Sequence, residues 1–293
     1  SPFYRNIIKK NAIDLNIFKL EDLSKFPIID KEVVKANYED ILNPKLKNEM
    51  YKFSSSGTTG TLLFIYLTQE AYQMEYAFRW NFYSDFNVQR KDSIAYFIGS
   101  TIKKSNDNNP PFHIRDLSEN GYYFSIFHLS EKNTPDYVLN LNKYKPKFIK
   151  GYPSAIYSLA LHIKELEMKV YSPKAIFTAS EVLHDYQKRL IEDTFKCNIY
   201  QWYGQVEGTL NIQECKYQKL HVMEEYGFLE VLDDDGNPVE LGESGNAIAS
   251  SYGNLAFPLI RYDTGDNVTL DIDQNCKCGR TGRIIKYIDG RDE

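Results

Sequence analysis

A run of hydroxyl residues and glycines is the stretch of this sequence best suited to hold a charged ligand. Residues 55–60 read Ser-Ser-Gly-Thr-Thr-Gly, and the apolar residues 62–67 follow almost at once. Glycine lets the backbone turn and bring its N–H groups close to a ligand, and such N–H groups together with hydroxyls suit phosphate. No Gly-Lys-Ser/Thr follows, so this is not the P-loop pattern. The residue types predict either a phosphate-binding loop held by a strand or a solvated Ser/Gly linker.

Cysteine and histidine provide a second candidate site. Cys215 and His221 lie close together in the sequence, and Cys276-x-Cys278 follows much later. Structural zinc takes four Cys or His ligands in a tetrahedron and leaves no open position for catalysis. The spacing therefore predicts a structural zinc site, with unrelated reduced cysteines and a surface histidine as the alternative. Cys197 is left over and is expected to be a buried thiol.

Composition excludes several classes of function. Of the 293 residues, 42% are hydrophobic and 26% are charged, and the net charge of -5 offers no basic surface for nucleic acid. No apolar run approaches the roughly 18 residues needed to span a bilayer, and no signal peptide is visible, so we expect a cytoplasmic protein. The 23 Tyr and 17 Phe fit either an aromatic substrate or a general compositional preference. Oligomeric state does not follow from the sequence, and a dimer is compatible with it.

Strands and helices alternate through the middle of the chain. Strand patterns at residues 93–99, 148–150, 175–179 and 199–204 are separated by helix patterns at 135–144, 155–168 and 185–195. Such alternation predicts an α/β fold with a mostly parallel sheet and flanking helices. Residues 1–50 are expected to be helical, with Asp30 capping a short helix and Thr68 capping a helix rich in aromatic residues. From Gly227 the pattern changes to short strands and turns, which predicts a β-rich subdomain.

Four motifs in order along the chain resemble those of the adenylate-forming superfamily, which includes acyl- and aryl-CoA ligases. The first is the run at residues 55–60, although Leu62 stands where the family usually has Pro. The others are Tyr-Gly-Gln-Val-Glu at 203–207, Arg-Tyr-Asp-Thr-Gly-Asp at 261–266 and Gly-Arg-Asp at 290–292. Residues 1–5, 151–154 and 258–262 are similar to the phenylacetate–CoA ligase branch and its CapK-like relatives in capsular polysaccharide biosynthesis. The resemblance covers most of the chain.

The resemblance implies an α/β adenylate-forming N-terminal domain that binds ATP and Mg²⁺. Glu207 would be the magnesium ligand, and it shares the catalytic role with Thr58. The β- and γ-phosphates would be held by Ser55, Ser56, Gly57, Thr58, Thr59 and Gly60. The adenine and ribose would be bound by Ser180, Glu181, Tyr203, Gly204, Asp266 and Arg291. The CapK-like branch carries residues similar to the zinc ligands Cys215, His221, Cys276 and Cys278.

The same resemblance implies AMP-forming activation of a small carboxylic acid, with transfer to CoA or to a sugar or amine acceptor. Candidates for the acid pocket are Tyr96, Phe97, Gly99, His113, Tyr152 and Trp202. The sequence does not identify the acid. Two other functions stay open: a nucleotide-binding module with reduced catalysis, and a zinc-stabilised interaction domain that binds no nucleotide.

The expected domain organisation has three parts. Residues 1–226 form the α/β nucleotide- and acid-binding part, residues 227–289 the β-rich subdomain, and residues 290–293 the start of a hinge. In the family, this hinge leads to a small C-terminal domain that carries a catalytic lysine. We therefore expect the 293-residue chain to bind nucleotide and to turn over poorly.

Overall fold

A computed structural model describes residues 1–54 and 63–290 of the chain. The chain divides into two compact units. One contains Ser1–Phe82 together with Tyr203–Glu293, and the other contains Tyr83–Trp202. The boundary expected at residue 226 falls inside the first unit.

Helices and strands follow one another as the sequence predicts through the middle of the chain. The α-helices are α1 Pro2–Lys10, α2 Lys31–Ala36, α3 Tyr38–Ile41, α4 Gln69–Ser84, α5 Thr134–Tyr144, α6 Pro153–Glu165 and α7 Asp185–Phe195, with 3-10 helices at Leu20–Lys25 and Pro44–Glu49. The first strands are β1 Met50–Ser54, β2 Phe64–Thr68, β3 Ile94–Phe97, β4 His113–Asp116, β5 Gly121–Phe124, β6 Phe148–Gly151, β7 Ala175–Ala179 and β8 Ile199–Gly204. The remaining strands are β9 Asn211–Glu214, β10 Leu220–Val222, β11 Gly227–Leu232, β12 Ser244–Ser251, β13 Tyr262–Leu270 and β14 Ile284–Gly290.

The unit Tyr83–Trp202 is built on the predicted parallel sheet. Its strands lie in the order β8-β7-β6-β3-β5-β4, and each adjacent pair is parallel except the edge strand β4, which runs antiparallel to β5. The inner strands are apolar and buried, as expected when helical crossovers cover a sheet. The core combines strand residues with residues of α5, α6 and α7, among them Tyr137, Leu159 and Ile191. The alternation of strands and helices in the sequence is therefore confirmed.

The unit formed by Ser1–Phe82 and Tyr203–Glu293 carries an antiparallel sheet. Its strands lie in the order β11-β12-β13-β14-β10-β9. The β-rich region therefore begins at Asn211 and not at Gly227, where the sequence pattern changes. All four residues of β9 are buried, although three of them, Asn211, Gln213 and Glu214, are polar.

Helix starts in this unit follow the predicted caps. The Asp30 side chain accepts a hydrogen bond from Val33 N at 2.8 Å at the start of α2, and Thr68 Oγ1 accepts one from Ala71 N at 3.2 Å before α4. The aromatic residues of α4 are not all part of the core, although Phe82 is buried. Tyr72 and Tyr76 are 46% and 39% exposed, because a helix that packs on one side leaves its other face to solvent.

No helix in the described ranges 1–54 and 63–290 is long and apolar enough to cross a membrane.

Candidate active site and metal centre

The predicted phosphate loop, residues 55–60 with Thr58, lies outside the described residues. The described strands on its two sides pair with each other. β1 and β2 run antiparallel, with Ser54 opposite Phe64 and Met50 opposite Thr68. Phosphate binding by residues 55–60 stays a prediction.

Tyr203 and Asp266 come from distant motifs and share a hydrogen bond. The Tyr203 hydroxyl, at the end of β8, donates to Asp266 Oδ2 in β13 at 2.7 Å. Gln205 Nε2 donates to the same hydroxyl, and Gln205 Oε1 accepts from Thr209 Oγ1 at 2.9 Å. Burial and the Asp266 carboxylate hold the pKa of Tyr203 well above its usual value. The hydroxyl therefore stays protonated and acts as a donor to Asp266.

Glu207 lies on the loop after β8 and contacts the same strand, β13. The Tyr262 hydroxyl donates to Glu207 Oε1 at 3.5 Å, and Tyr262 is the first residue of β13. A half-buried carboxylate is a suitable ligand for Mg²⁺, which takes one or two protein carboxylates beside phosphate oxygens. Tyr203 and Glu207 thus each hydrogen-bond a residue of β13, the strand that carries Asp266.

Arg261 fixes the start of β13, which carries these contacts. Its backbone has the left-handed φ of 51°, which is uncommon for a residue with a side chain. Its Nε donates to Glu230 at 3.0 Å and its Nη1 donates to the Phe26 carbonyl at 2.9 Å. The pairing of a buried guanidinium with both a carboxylate and a carbonyl holds this backbone conformation.

The predicted adenine residues of the other unit follow β7. Ser180 also has a left-handed φ, of 72°, so the chain turns sharply directly after the strand. The Glu181 carboxylate accepts a hydrogen bond from Ser154 N at 3.0 Å. Because Ser154 N lies in the first turn of α6, Glu181 stabilises the positive end of that helix. The predicted contact of Ser180 and Glu181 with adenine stays a prediction.

The acid-pocket candidates are partly buried and partly accessible. Phe97 is fully buried and stacks on Phe124 with ring centroids 4.9 Å apart. Trp202 is also buried, and Tyr96 stacks on Tyr123 at 4.7 Å. The Tyr152 ring lies against Gly99. Packing of this kind leaves Tyr96, Gly99 and Tyr152 with more exposure than Phe97 and Trp202.

His113, the remaining acid-pocket candidate, lies on the edge strand β4. Its ring contacts Phe124 and Tyr144 with centroids 5.3 Å apart in each case. Burial lowers the pKa of His113, so the imidazole is mostly neutral near pH 7. Contact with an acid substrate stays a prediction for this residue.

The four predicted zinc ligands come together in space. One ligand atom from each of Cys215, His221, Cys276 and Cys278 lies within 4.8 Å of every other. Cys215 Sγ is 3.6 Å from Cys276 Sγ, and Cys278 Sγ is 3.3 Å from His221 Nε2. Zinc–sulfur bonds near 2.3 Å in a tetrahedron place sulfur atoms roughly 3.7 Å apart. The donor set and its spacing therefore fit a four-coordinate zinc ion.

The thiols of this cluster differ in acidity. Burial raises the pKa of Cys215 to about 11. Burial also disfavours the Cys276 thiolate, but hydrogen bonds from Cys278 outweigh it and lower the pKa of Cys276. A bound cation would favour the thiolate form of every cysteine in the set.

The structure describes only one of the two remaining predicted residues, Cys197 and Arg291. Cys197, expected to be a buried thiol, is only partly buried, and burial raises the pKa of its thiol to about 12. Arg291 lies outside the described residues, so its contact with ribose stays a prediction.

Sequence reasoning missed the residues that join the motifs. Gln205 occupies the variable position of its motif, and Tyr262 was matched to a motif without a role. Lys219, which contacts the loop of Cys276, carries no motif signal. Each makes its contact across more than 50 positions of sequence or through a short network, and no local pattern encodes such contacts.

The curated relatives of this chain agree with the sequence motifs. CapK of Staphylococcus aureus is 27% identical over 293 residues, which cover the whole chain and 64% of CapK. The phenylacetate–coenzyme A ligase of Thermus thermophilus is 25% identical over an alignment that covers the whole chain and 66% of that enzyme. The chain thus spans about two thirds of the length of these relatives. No family model matches it.

Solved structures show the fold. A 2-hydroxyisobutyryl-CoA ligase in complex with an adenylate has a TM-score of 0.73 at 18% identity, covering 99% of this chain and 64% of the ligase. The anthranilate CoA ligase AuaEII in complex with anthranoyl-AMP has a TM-score of 0.55 at 19% identity, covering 82% of this chain and 46% of that ligase. The fold is therefore that of acyl-CoA ligases of the adenylate-forming type, as the motifs predict.

Proposed function

We propose that this chain, which its relatives and fold assign to the adenylate-forming superfamily on the CapK-like branch, activates a carboxylic acid with ATP. The observation that supports this most directly is that Tyr203 hydrogen-bonds Asp266 of β13 while Glu207 accepts from Tyr262 of the same strand. These residues come from two separate motifs and have the chemistry that a magnesium nucleotide requires.

In the proposed reaction, an oxygen of the acid's carboxylate attacks the α-phosphorus of ATP. The bond from that phosphorus to its bridging oxygen breaks, and pyrophosphate leaves with the electron pair. Residues 55–60 would hold the phosphates that leave. Magnesium, held by Glu207, would neutralise charge on the phosphate oxygens. Catalysis in this scheme is mostly positioning.

The adenine and the ribose of the nucleoside would be bound by different residues. Asp266 would accept hydrogen bonds from ribose hydroxyls through the carboxylate oxygen that Tyr203 does not contact. Tyr203 would offer its ring to adenine while its hydroxyl orients Asp266. Gly204, Ser180, Glu181 and Arg291 are the other residues that are predicted to bind the nucleoside.

The adenylate would then pass to a nucleophile. A CoA thiol would attack the activated carbonyl and release AMP, as expected for a relative of a phenylacetate–coenzyme A ligase. A sugar hydroxyl or amine is the alternative acceptor, in line with the similarity to CapK. We place this reaction in the cytoplasm, where ATP is available and free thiols such as those of this chain persist.

Nucleotide binding is tested by calorimetry with ATP and Mg²⁺ and, separately, with AMP. We expect Asp266→Asn to weaken both ligands about tenfold or more, because a hydrogen bond to a charged group contributes roughly 1.5–3 kcal/mol. Glu207→Gln should weaken the binding of ATP with Mg²⁺ more than the binding of AMP, since AMP lacks the β- and γ-phosphates. Glu225→Gln and Asp235→Asn, both exposed in the same unit, should leave binding unchanged.

The absence of ATP and AMP binding by the wild-type chain would reject the proposed function and favour a metal-stabilised interaction domain. Pyrophosphate exchange with a panel of acids separates an enzyme from a nucleotide-binding module. Exchange that depends on one class of acid would support the enzyme and identify its substrate.

We also propose that Cys215, His221, Cys276 and Cys278 hold a structural zinc ion. The ion would hold the segment of Cys215 and His221 to the segment of Cys276 and Cys278. It would take no part in catalysis, because every ligand position is filled. Elemental analysis of chelator-free protein should give one zinc per chain. Cys276→Ser should lose it, and the control Cys197→Ser should keep it. Zinc-free wild-type protein would reject the site.

A further inference from the structure

Lys219 contacts both of the segments that carry the proposed zinc ligands. Its backbone belongs to the tight turn between β9 and β10, where Cys215 N donates to the Lys219 carbonyl at 2.9 Å. Cys215 lies on one side of this turn and His221 follows in β10. The backbone of Lys219 therefore closes the turn that presents the first pair of ligands.

The side chain of Lys219 reaches the loop that presents the second pair. Lys219 Nζ lies 2.6 Å from Asp273 Oδ2, 3.1 Å from the Asp273 carbonyl and 3.0 Å from the Asn275 carbonyl. A lysine ammonium has three donors, and these three oxygens use them all. Asp271 Oδ2, at 3.9 Å, adds a second carboxylate near the ammonium.

Hydrogen bonds within the loop at residues 271–275 fix the conformation that brings its oxygen atoms to Lys219 Nζ. Asp271 Oδ1 accepts from Asp273 N at 2.9 Å, and Asp273 Oδ1 accepts from Asn275 N at 3.1 Å. Gln274 fastens the loop to β14, because its Oε1 accepts from Ile284 N at 2.8 Å and its Nε2 donates to the Ile284 carbonyl. Cys276 follows Asn275 directly, so the position of the Asn275 carbonyl sets where that thiol begins.

We propose that Lys219 is a positioning residue for the metal: its ammonium orders the loop at residues 271–275 and so brings Cys276 and Cys278 to Cys215 and His221 before zinc binds. This inference depends on the zinc site proposed above. Four ligands from two distant segments must lose conformational freedom when they bind an ion. A site that is ordered beforehand loses less, and it binds more tightly for the same contacts.

The test compares Lys219→Met with the wild-type chain. Methionine keeps most of the length and apolar volume of the side chain and removes the three donors. We expect zinc affinity, measured by competition with a coloured chelator, to fall about 10- to 100-fold, the range found when a residue that supports a metal ligand is lost. Zinc should also transfer to the chelator faster.

Lys196→Met is the matched control. Lys196 Nζ pairs with Asp193 Oδ1 at 2.7 Å on the exposed end of α7, in the other unit. This variant also loses one lysine and one ion pair, and its zinc affinity should equal that of the wild type. An equal loss in both variants would show a general effect of charge and would overturn the role of Lys219.

Hydrogen exchange distinguishes positioning from a general loss of stability. In zinc-free protein, the amides of residues 271–278 should exchange faster in Lys219→Met than in the wild type, while those of β11 and β12 should not change. With zinc bound, both proteins should protect the loop. Equal exchange in the zinc-free proteins would overturn the proposal.

Asp273→Asn provides a second variant in case Lys219→Met does not fold. The Asp273 side chain is 62% exposed, so the substitution is tolerated sterically, and it removes the charge that faces the ammonium. It should lower zinc affinity in the same direction but less. A wild-type chain without zinc would reject the zinc site and this inference together, whereas zinc-binding wild type with unchanged affinity in both variants would reject only Lys219.

Discussion

The ring and the hydroxyl group of Tyr203 have different proposed roles. Its ring is predicted to meet adenine, while its hydroxyl donates to Asp266 Oδ2 at 2.7 Å. The raised pKa of this hydroxyl means that it remains a donor throughout the pH range in which the protein would work. Its bond to Oδ2 orients the Asp266 carboxylate, which is predicted to bind ribose.

We predict that Tyr203→Phe weakens AMP binding about tenfold and leaves the ring's contribution intact. The variant loses one hydrogen bond to a charged group, and such a bond contributes roughly 1.5–3 kcal/mol. Calorimetry with AMP measures the change. Tyr200→Phe is the control on the same strand, because it removes a hydroxyl that contacts Asn198 and not Asp266. Unchanged AMP affinity in Tyr203→Phe would mean that the hydroxyl does not orient Asp266.

Among the elements, strands β3 and β6 are an example of close approach that requires glycine. Phe97 of β3 is paired with Gly151 of β6, and a Cβ on Gly151 would lie 2.4 Å from the Phe97 carbonyl oxygen. Real contacts of this kind do not occur, so an added methyl group must push the strands apart. Gly151 directly precedes Tyr152 and the helix α6, whose first turn contacts Glu181.

We predict that Gly151→Ala lowers the free energy of unfolding by about 1–3 kcal/mol, as overpacking of an ordered interior does. Chemical denaturation measures this value. Gly99→Ala is a suitable control, since a Cβ at Gly99 would make only an ordinary contact, 3.4 Å from the Tyr152 hydroxyl. The prediction is wrong if the two variants have the same stability.

The elements also show how far sequence reasoning extends. The helix predicted at residues 185–195 is α7, with those bounds, because its apolar spacing and its flanking turns are local signals. β9 was missed because three of its four residues are polar, so its composition does not indicate a buried strand. The contact of Tyr262 with Glu207 could not be predicted, since it arises from pairing of distant strands. The four metal ligands were predicted because cysteine and histidine are chemically specific even when they are far apart.

At the scale of the whole molecule, the metal should affect one unit and not the other. The proposed ligands all belong to the unit formed by Ser1–Phe82 and Tyr203–Glu293. Zinc that binds only the folded state stabilises it by about 2.7 kcal/mol when its free concentration is 100 times the dissociation constant. We expect this stabilisation to act on the unit that carries the ligands.

We predict that removal of zinc by a chelator lowers the melting temperature of this unit by about 5 °C or more. Amides in β9, β10 and residues 271–283 should exchange faster, and those in α5, α6 and α7 should keep their protection. Hydrogen exchange read by mass spectrometry gives both results in one experiment, and re-addition of zinc should restore the original pattern. Uniform loss of protection along the chain would contradict a local role for the ion.

The first unit is made of two separated stretches of sequence, and this arrangement sets an order for folding on the ribosome. Its N-terminal stretch meets the later one through Ile29 and Tyr262, which form a strand bridge, and through the Phe26 carbonyl and Arg261. The segment Tyr83–Trp202 is continuous, so it can fold as soon as it leaves the exit tunnel. Ser1–Phe82 must wait, with residues such as Ile29 exposed, until the strands after residue 203 have been synthesised. Nascent chains halted between these points should therefore be the ones that bind chaperones.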